Sequence, residues 1–249
     1  MKRFFSPDLL AVYLAGTAII LSQLPPIYQL FQKPEAEITA DGWLSITHAL
    51  GRPQVYLPVT VSNDGSATLT VEEISCSLMN LDNGNIWPMK VTSFVDQSTV
   101  QQFQPAREIP IGRLRVLPNS RWSETVHCAV NPTADQLSRL QLIGLQMTDY
   151  LNSQPRVIPA TSEPVEFPQD IWMPAQDMFE EAFILEVGSY AIEISILTDE
   201  AISSSHVSSS FILDASDISI LRRHLDQYKY GGGVIFPIPN SLSVTKVEE

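Results

Sequence analysis

Residues 9–24 contain no charged side chain, and this stretch limits what the chain can be more than any other part of it. The Ser-Pro-Asp at residues 6–8 is typical of the first turn of a helix, and Pro25-Pro26 ends it. A helix over residues 7–24 would rise about 27 Å, close to the ~30 Å hydrocarbon core of a bilayer. The sequence therefore predicts a transmembrane anchor.

The charges around this span predict its orientation. Lys2 and Arg3 precede it, so the positive-inside rule places the N-terminus in the cytoplasm and the body outside, in a bacterial periplasm or at a cell surface. Residues 1–33 would then form the cytoplasmic N-terminus and an anchor that contacts membrane lipid. Two alternatives stay open. One is a buried core helix, and the other is a cleaved signal peptide, which the bulky, proline-containing residues 24–31 disfavour.

One side of the predicted span carries only small side chains. They recur at helical spacing, at Ala11, Ala15, Ala18 and Ser22. In lipid, stripes of small residues let helices approach closely, so this stripe is a candidate packing face against another transmembrane helix. Alanine is also common in membrane helices, and that simpler explanation accounts for the stripe equally well.

The body of the chain is acidic. The 249 residues have a formal net charge of −13, and residues 1–34 are themselves net positive. This charge argues against nucleic acid or an anionic membrane surface as a partner. The sequence contains no Asn-x-Ser/Thr sequon, which favours a bacterial envelope over a eukaryotic lumen.

After residue 34, short runs of alternating apolar and polar residues predict a mainly β body. Asn83-Gly84 is a strong hairpin signal. Pro58 lies inside one run and predicts an edge strand or a bulge there. The predicted strands cover residues 43–48, 55–61, 69–79, 86–95, 99–103, 113–117, 122–130 and 140–150.

The second half of the chain is less regular. A short capped helix is predicted over residues 131–139, and five prolines predict an extended connection over 154–177. A C-terminal β segment with one amphipathic helix should follow over 178–239. Its predicted parts are a strand at 183–197 with a turn at 188–190, a serine-rich loop leading to a strand that ends at Leu213, a helix at 214–228, a strand at 234–236, and then a disordered tail at 240–249.

The stretch LPVTVSNDGSATLTVEEISCSL and the order Cys76, Trp87, Cys128 resemble the bacterial immunoglobulin-like domains of envelope proteins. The resemblance covers residues 36–150 and implies an immunoglobulin-like β-sandwich over 34–153, used for binding or assembly more often than for catalysis. Two features depart from that family. Asn83-Gly84 predicts a tight hairpin where an immunoglobulin chain crosses between sheets, and Val126 stands where the corner tyrosine would be.

The two cysteines are predicted to point inward. Cys76 shares its strand parity with Ile74 and Leu78, and Cys128 shares its parity with Val126 and Val130. Outside the cytoplasm such a pair can form a disulfide worth about 4 kcal/mol. Two separate buried thiols are the alternative.

The residues that could carry chemistry form no recognisable motif. His48 has the parity of a core or interface histidine, His127 lies on the strand face opposite Cys128, and His224 is predicted to be solvated on its helix. No catalytic, metal or cofactor residue is therefore assigned, and no small-molecule substrate is identified. The one cluster that could suggest sugar chemistry, near Trp172 and Phe179, is also what a solvated acidic turn would contain: Asp177, Glu180 and Glu181.

These observations lead to one expectation and one alternative. The expected function is that of a noncatalytic, membrane-anchored accessory or scaffold subunit whose extracytoplasmic sandwich binds a partner protein in a membrane complex. The alternative is an enzyme or carbohydrate-binding module that acts on envelope polymers, with the carboxylates at 177–181 as its candidates.

Overall fold

The computed structural model describes residues 33–40, 42–96, 107–154, 164–198, 206–236, 242–244 and 246–247. The predicted span at 9–24, with its stripe Ala11, Ala15, Ala18 and Ser22, and the predicted strand at 99–103 lie outside the described residues. Among the residues described, no helix combines the length and the apolar character that crossing a membrane requires.

The described part of the chain is mainly β, as predicted, with helices inserted in its second half. The strands are β1 (Ala36–Thr39), β2 (Leu44–Ala49), β3 (Arg52–Asn63), β4 (Leu69–Asn80), β5 (Ile86–Asp96), β6 (Arg107–Pro110), β7 (Leu114–Val116), β8 (Ser120–Ala129), β9 (Gly188–Thr198), β10 (His206–Leu213), β11 (Leu242–Val244) and β12 (Lys246–Val247). The helices are α1 (Ala134–Ser153), α2 (Gln169–Ala182), α3 (Ala215–Arg222) and α4 (Leu225–Tyr228).

All the strands belong to one antiparallel sheet that nearly closes on itself. Its order is β11-β2-β3-β8-β5-β4-β9-β10-β12. The two end strands are almost consecutive in sequence, because one residue separates β11 from β12. The C-terminal segment therefore joins β2 to β10, and the sheet is barrel-like rather than the predicted two-sheet immunoglobulin-like sandwich. β9, from the predicted C-terminal segment, pairs with β4, so both halves of the chain supply strands to this sheet.

Inward-facing side chains alternate along the strands as the sequence predicted. Val55, Leu57, Val59 and Val61 on β3 are completely buried in the barrel interior. β3 is central in the order of the sheet, but the stretch around Pro58 is locally an edge, which agrees with the edge position predicted there. Pro58 is tolerated because β2 pairs only up to Tyr56 and β1 only from Thr60, which leaves this stretch with β8 as its single neighbour.

β5 changes partner along its length, and the two cysteines flank the point of change. Its first half pairs with β4 and its second half with β8, and Lys90 pairs with both strands. Cys76 on β4 and Cys128 on β8 are both buried, and a disulfide joins them with a Cα–Cα distance of 6.5 Å. The bond thus ties together two strands that are separated by β5. Asn83-Gly84 lies in the β4–β5 hairpin, which confirms that predicted turn.

The predicted strand at 140–150 is wrong, because those residues continue the capped helix. Thr133 and Gln136 form a reciprocal capping box that starts α1. Ile143 and Met147 are buried four residues apart, while Leu145 between them is exposed. The pattern therefore has the helical period, and a period of two fitted the same residues only by chance.

The extended connection predicted over 154–177 is wrong for its second half, where α2 begins at Gln169 and contains Pro174. Ala175, Met178 and Phe179 follow at helical spacing and are buried, and this packing outweighs the hydrogen bond that the proline removes. Residues 155–163 of that connection lie outside the description.

The C-terminal predictions are partly confirmed. Helices α3 and α4 occupy the predicted 214–228 with a break at 223–224, and Asp214 caps α3. The turn predicted at 188–190 is wrong because it is the start of β9, and much of the serine-rich stretch belongs to β10. Residues 234–236 form a turn with a single bridge instead of a strand. The tail predicted to be disordered contributes β11 and β12, because both ends of the sheet offer it unpaired backbone.

Thiol labelling tests the disulfide. In protein denatured without reductant, we expect no alkylated cysteine, and we expect two after reduction. Reduction should lower the free energy of unfolding by about 4 kcal/mol for a bond that spans 52 residues. The double variant Cys76→Ala/Cys128→Ala is the matched control, since reductant should leave its stability unchanged. Two labelled thiols before reduction would contradict the bond.

Candidate functional site

A helical layer, made of α1–α4, packs against one end of the barrel around the tip of the β2–β3 hairpin. The tip is a two-residue loop, Leu50-Gly51, and both residues have positive φ (48° and 84°), as a type I′ turn requires. Leu50 is 1% exposed and belongs to a second apolar core. The other buried members of that core are Ile143, Met147, Phe167, Ala175, Met178, Phe179 and Tyr228. The hairpin tip thus supplies the apolar contact around which the helices assemble.

Gly51 lies directly against the backbone at the end of α2. A Cβ added there would overlap the carbonyl oxygen of Phe179 and crowd the backbone nitrogen of Phe183, at the end of α2. The positive φ and this backbone contact both require glycine at the position.

Two buried histidines connect the hairpin to the helices. His48, at the end of β2, is 3% exposed, and His224, between α3 and α4, is 4% exposed. His224 Nδ1 lies 3.1 Å from His48 Nε2, which is also 3.0 Å from the backbone oxygen of Leu221. Phe179 and Phe183 pack edge-on against the His48 ring. His48 was therefore correctly predicted as a core histidine, whereas the prediction of a solvated His224 is wrong.

The hydrogen bonds define which nitrogens carry protons. The Gly51 N–H donates to His48 Nδ1, so a neutral His48 carries its proton on Nε2. That proton faces both the Leu221 oxygen and His224 Nδ1. His224 Nδ1 is therefore an acceptor, and its own proton lies on Nε2, which is buried and has no partner within the described residues. The hydrogen bonds from Gly51 to His48 and from His48 to His224 both form only while the two imidazoles are neutral.

Burial shifts the acid–base behaviour of this region towards neutral groups. It lowers the pKa of His48 to about 4 and also lowers the pKa of His224. Nearby, burial raises the pKa of Tyr228 and lowers that of Arg52. Both imidazoles are thus uncharged at neutral pH.

The outward side of α1 carries an unusual apolar surface. Leu145 is 63% exposed and points directly away from the buried Ile143 and Met147, while Leu142 and Leu137, at 58% and 44%, lie to either side of it. Ser138, Gln141 and Thr148 are exposed and uncharged between these leucines, and Asp149, one turn after Leu145, places a carboxylate at the C-terminal edge of the surface. We call Leu137, Leu142 and Leu145 the leucine face. Exposed leucines bordered by a single carboxylate, on the longest helix among the described residues, are typical of a protein contact.

Two of the three carboxylates considered for sugar chemistry form ion pairs with arginines of neighbouring helices. Glu181 makes two hydrogen bonds to Arg139 of α1, at 2.7 and 3.2 Å, and Glu180 pairs with Arg222 of α3 at 3.2 Å. Asp177 is exposed on α2. The acidic residues therefore link α2 to the helices on both sides of it.

An open groove of about 660 Å³ on the outer face of β4, β5 and β9 also contains two carboxylates, Glu73 and Glu193. The strand register separates their backbone positions by about 14 Å, at roughly 3.3 Å per residue. Ser75 and Ser195 in the same groove share a 2.8 Å hydrogen bond.

A second polar cluster, which the sequence reasoning missed, surrounds His127. Its Nδ1 is 3.2 Å from Glu108, which also accepts hydrogen bonds from Ser93 at 2.7 Å and Tyr56 at 3.1 Å. The His127 hydrogen bond is the main cause that lowers the pKa of Glu108 to about 2. The ring stacks on Tyr56 at 4.4 Å, and its Nε2 is buried without a partner in the described part of the chain. These four residues come from β3, β5, β6 and β8, so only the pairing of the strands brings them together.

No group of three or more histidine, cysteine, aspartate or glutamate side chains within the described residues is arranged to hold a metal ion.

The first described residues, 33–35, lie beside the end of β3 that is far from the helical layer. The Lys33 carbonyl accepts hydrogen bonds from Ser66 and Ala67, and the Glu35 amide donates to Asn63. The hairpin tip lies at the other end of β3. The 12 residues of this strand separate the two ends by roughly 36 Å.

No protein-family model and no curated protein matches the sequence. Among solved structures, a family 123 glycoside hydrolase from Clostridium perfringens is similar with 11% identity and a TM-score of 0.34, over 73% of this chain and 28% of that one. A putative late embryogenesis abundant protein has 11% identity and a TM-score of 0.32, over 84% of this chain and 85% of that one. A protein from Archaeoglobus fulgidus has 9% identity and a TM-score of 0.28, over 73% and 98%. This chain spans less than a third of the hydrolase, and these similarities support no functional argument.

Two glycine variants test the hairpin contact. Gly51→Ala should lower the free energy of unfolding by about 2–5 kcal/mol, because the left-handed backbone and the overlap with α2 both oppose a Cβ. Gly84→Ala is the matched control: its φ is +74°, but no atom lies within 4 Å of an added Cβ, so it should cost only about 1–2 kcal/mol. Chemical denaturation measures both. Equal losses would show that the helices do not press on the hairpin tip.

Proposed function

We propose that this protein is a noncatalytic accessory or scaffold subunit, anchored in a membrane by its N-terminal helix, whose extracytoplasmic body binds a partner protein through the leucine face of α1. The observation that carries the proposal is that face: three exposed leucines on one side of α1, separated by uncharged side chains and bordered by Asp149, on an acidic chain. Burying such a surface against a partner is favourable at about 25 cal/mol per Å² of apolar area.

The position of α1 in the fold supports a protein partner rather than the bilayer. The anchor connects to the body near Lys33 and Asn63, and the helical layer lies roughly 36 Å away along β3. A body held in this way presents α1 away from the membrane surface. The anchor would also confine the protein to the membrane, which raises its effective concentration near a membrane-bound partner and allows a modest interface to suffice. The stripe Ala11, Ala15, Ala18 and Ser22 is proposed as a second contact, with a transmembrane helix of the same complex.

The alternative is an enzyme or binding module that acts on envelope polymers. Its candidates Glu180 and Glu181 each pair with an arginine, and the backbone positions of Glu73 and Glu193 in the outer groove are about 14 Å apart. No observation among the described residues favours this alternative over partner binding.

Affinity capture of the full chain in mild detergent tests the proposal. Leu145→Glu places a charge at the centre of the leucine face and should reduce recovery of the co-purifying partner at least tenfold, as expected for loss of a central contact worth more than 1.4 kcal/mol. Leu197→Glu is the matched control, because Leu197 is similarly exposed at 57% but lies on β9.

Circular dichroism of both variants establishes that they fold. If Leu145→Glu folds and still recovers as much partner as Leu197→Glu, the leucine face is not the binding surface. If alanine at Glu180 and Glu181 abolishes a turnover of envelope polymer, the alternative function replaces the proposal.

A further inference from the structure

We propose that His48 and His224 form a pH-sensitive latch that holds the helical layer on the barrel while both rings are neutral and loosens it when they are protonated. The inference concerns the chain alone and does not depend on the proposed partner.

The geometry makes protonation of either ring unfavourable. A proton added to His48 Nδ1 would face the Gly51 N–H, which now donates to that nitrogen at 3.2 Å. A proton added to His224 Nδ1 would face the Nε2–H of His48 at 3.1 Å. Each event replaces a hydrogen bond by two opposed donors and places a positive charge in a site that excludes water.

The surroundings provide no unpaired buried carboxylate to receive that charge. On β3, Arg52 donates a hydrogen bond to the Ala49 oxygen beside His48, and on α4, Tyr228 packs against Phe179, which itself contacts His48. The one nearby carboxylate on α2, Glu180, is already paired with Arg222. The Arg222 guanidinium lies 4.8 Å from the centre of the Phe183 ring, which itself packs on His48.

Along the chain, Arg223 and Asp226 flank His224 but are exposed. Within the described residues, no carboxylate is therefore buried beside the two rings.

The position of the pair makes the effect local. His48 belongs to the barrel, while the groups that contact it come from the end of α2, from α3 and from the turn before α4. Loss of these contacts would separate the helices from the hairpin without breaking any pairing of the sheet. Burial lowers the pKa of His48 to about 4, so its effect should develop as the pH falls from about 6.5, the ordinary pKa of histidine, towards 4.

The sign follows from proton linkage. In the open form, in which the helical layer has separated from the hairpin, the two histidines bind protons with ordinary affinity. In the closed form they bind protons more weakly, so a lower pH favours opening. The opening equilibrium constant should rise about tenfold per pH unit for one coupled proton and up to a hundredfold for two. Below about pH 4 the contribution of His48 stops growing.

Hydrogen–deuterium exchange of the full chain in detergent, corrected for intrinsic rates and measured from pH 7 to 5, tests the latch. Peptides from residues 169–182 and 215–228 should show the predicted rise in opening, and peptides from β3 should not. The double variant His48→Gln/His224→Gln should show no such rise. His206→Gln, an exposed histidine on β10, should behave as the unaltered chain does.

A rise that persists in the double variant, or that is equal in β3 and the helices, would overturn the latch. Where His48→Gln does not fold, His224→Gln alone should retain part of the rise. Histidine NMR titration of the unaltered chain gives an independent result: two buried rings that titrate near pH 6.5 would also overturn the proposal.

Discussion

The tip of the β2–β3 hairpin is the contact on which the relation between barrel and helices depends. Within four residues it brings together a histidine that accepts and donates hydrogen bonds, a leucine buried in the helical core and a glycine that permits the backbone of α2 to approach. Leu50 adopts a positive φ that costs a side-chain-bearing residue roughly 1–2 kcal/mol. The apolar core formed around Leu50 offsets this cost, so the turn and the helical layer stabilise each other.

The barrel makes this arrangement possible by spanning the molecule with one long strand. β3 pairs with β8 along ten residues and begins at the hairpin tip, while its far end receives the incoming chain beside Asn63. The C-terminal strands β11 and β12 join the two ends of the sheet, and the disulfide ties β4 to β8 where β5 changes partner. The continuous strand β3 separates the two ends of the body by roughly 36 Å. This separation underlies the proposal that one end faces a membrane and the other a partner.

The sequence predicted most strands of the barrel because their alternation continues over many residues, as on β3 and β4. It failed where two periods fit the same residues: the segment 140–150 alternates as a strand would, yet Ile143 and Met147 are four residues apart and buried as in a helix. The sequence did not predict α2 because Pro174 lies inside it and proline disfavours a helix interior. In the structure, the packing of Phe179 outweighs that effect of Pro174. The candidate sites were least predictable. His48 and His224 are 176 residues apart, and Glu108 meets His127 only through strand pairing, so no local pattern could place either pair.

The most direct test of the account is a distance measurement on the full chain reconstituted in lipid vesicles. A donor fluorophore introduced as a non-natural amino acid at position 66, or alternatively at position 145, would transfer energy to acceptors on the lipid headgroups. Both positions are exposed, and they lie at opposite ends of the body. The account predicts strong transfer from position 66 and much weaker transfer from position 145, because roughly 36 Å of β3 separates the two ends. Equal transfer from both positions, or none from position 66, would contradict it.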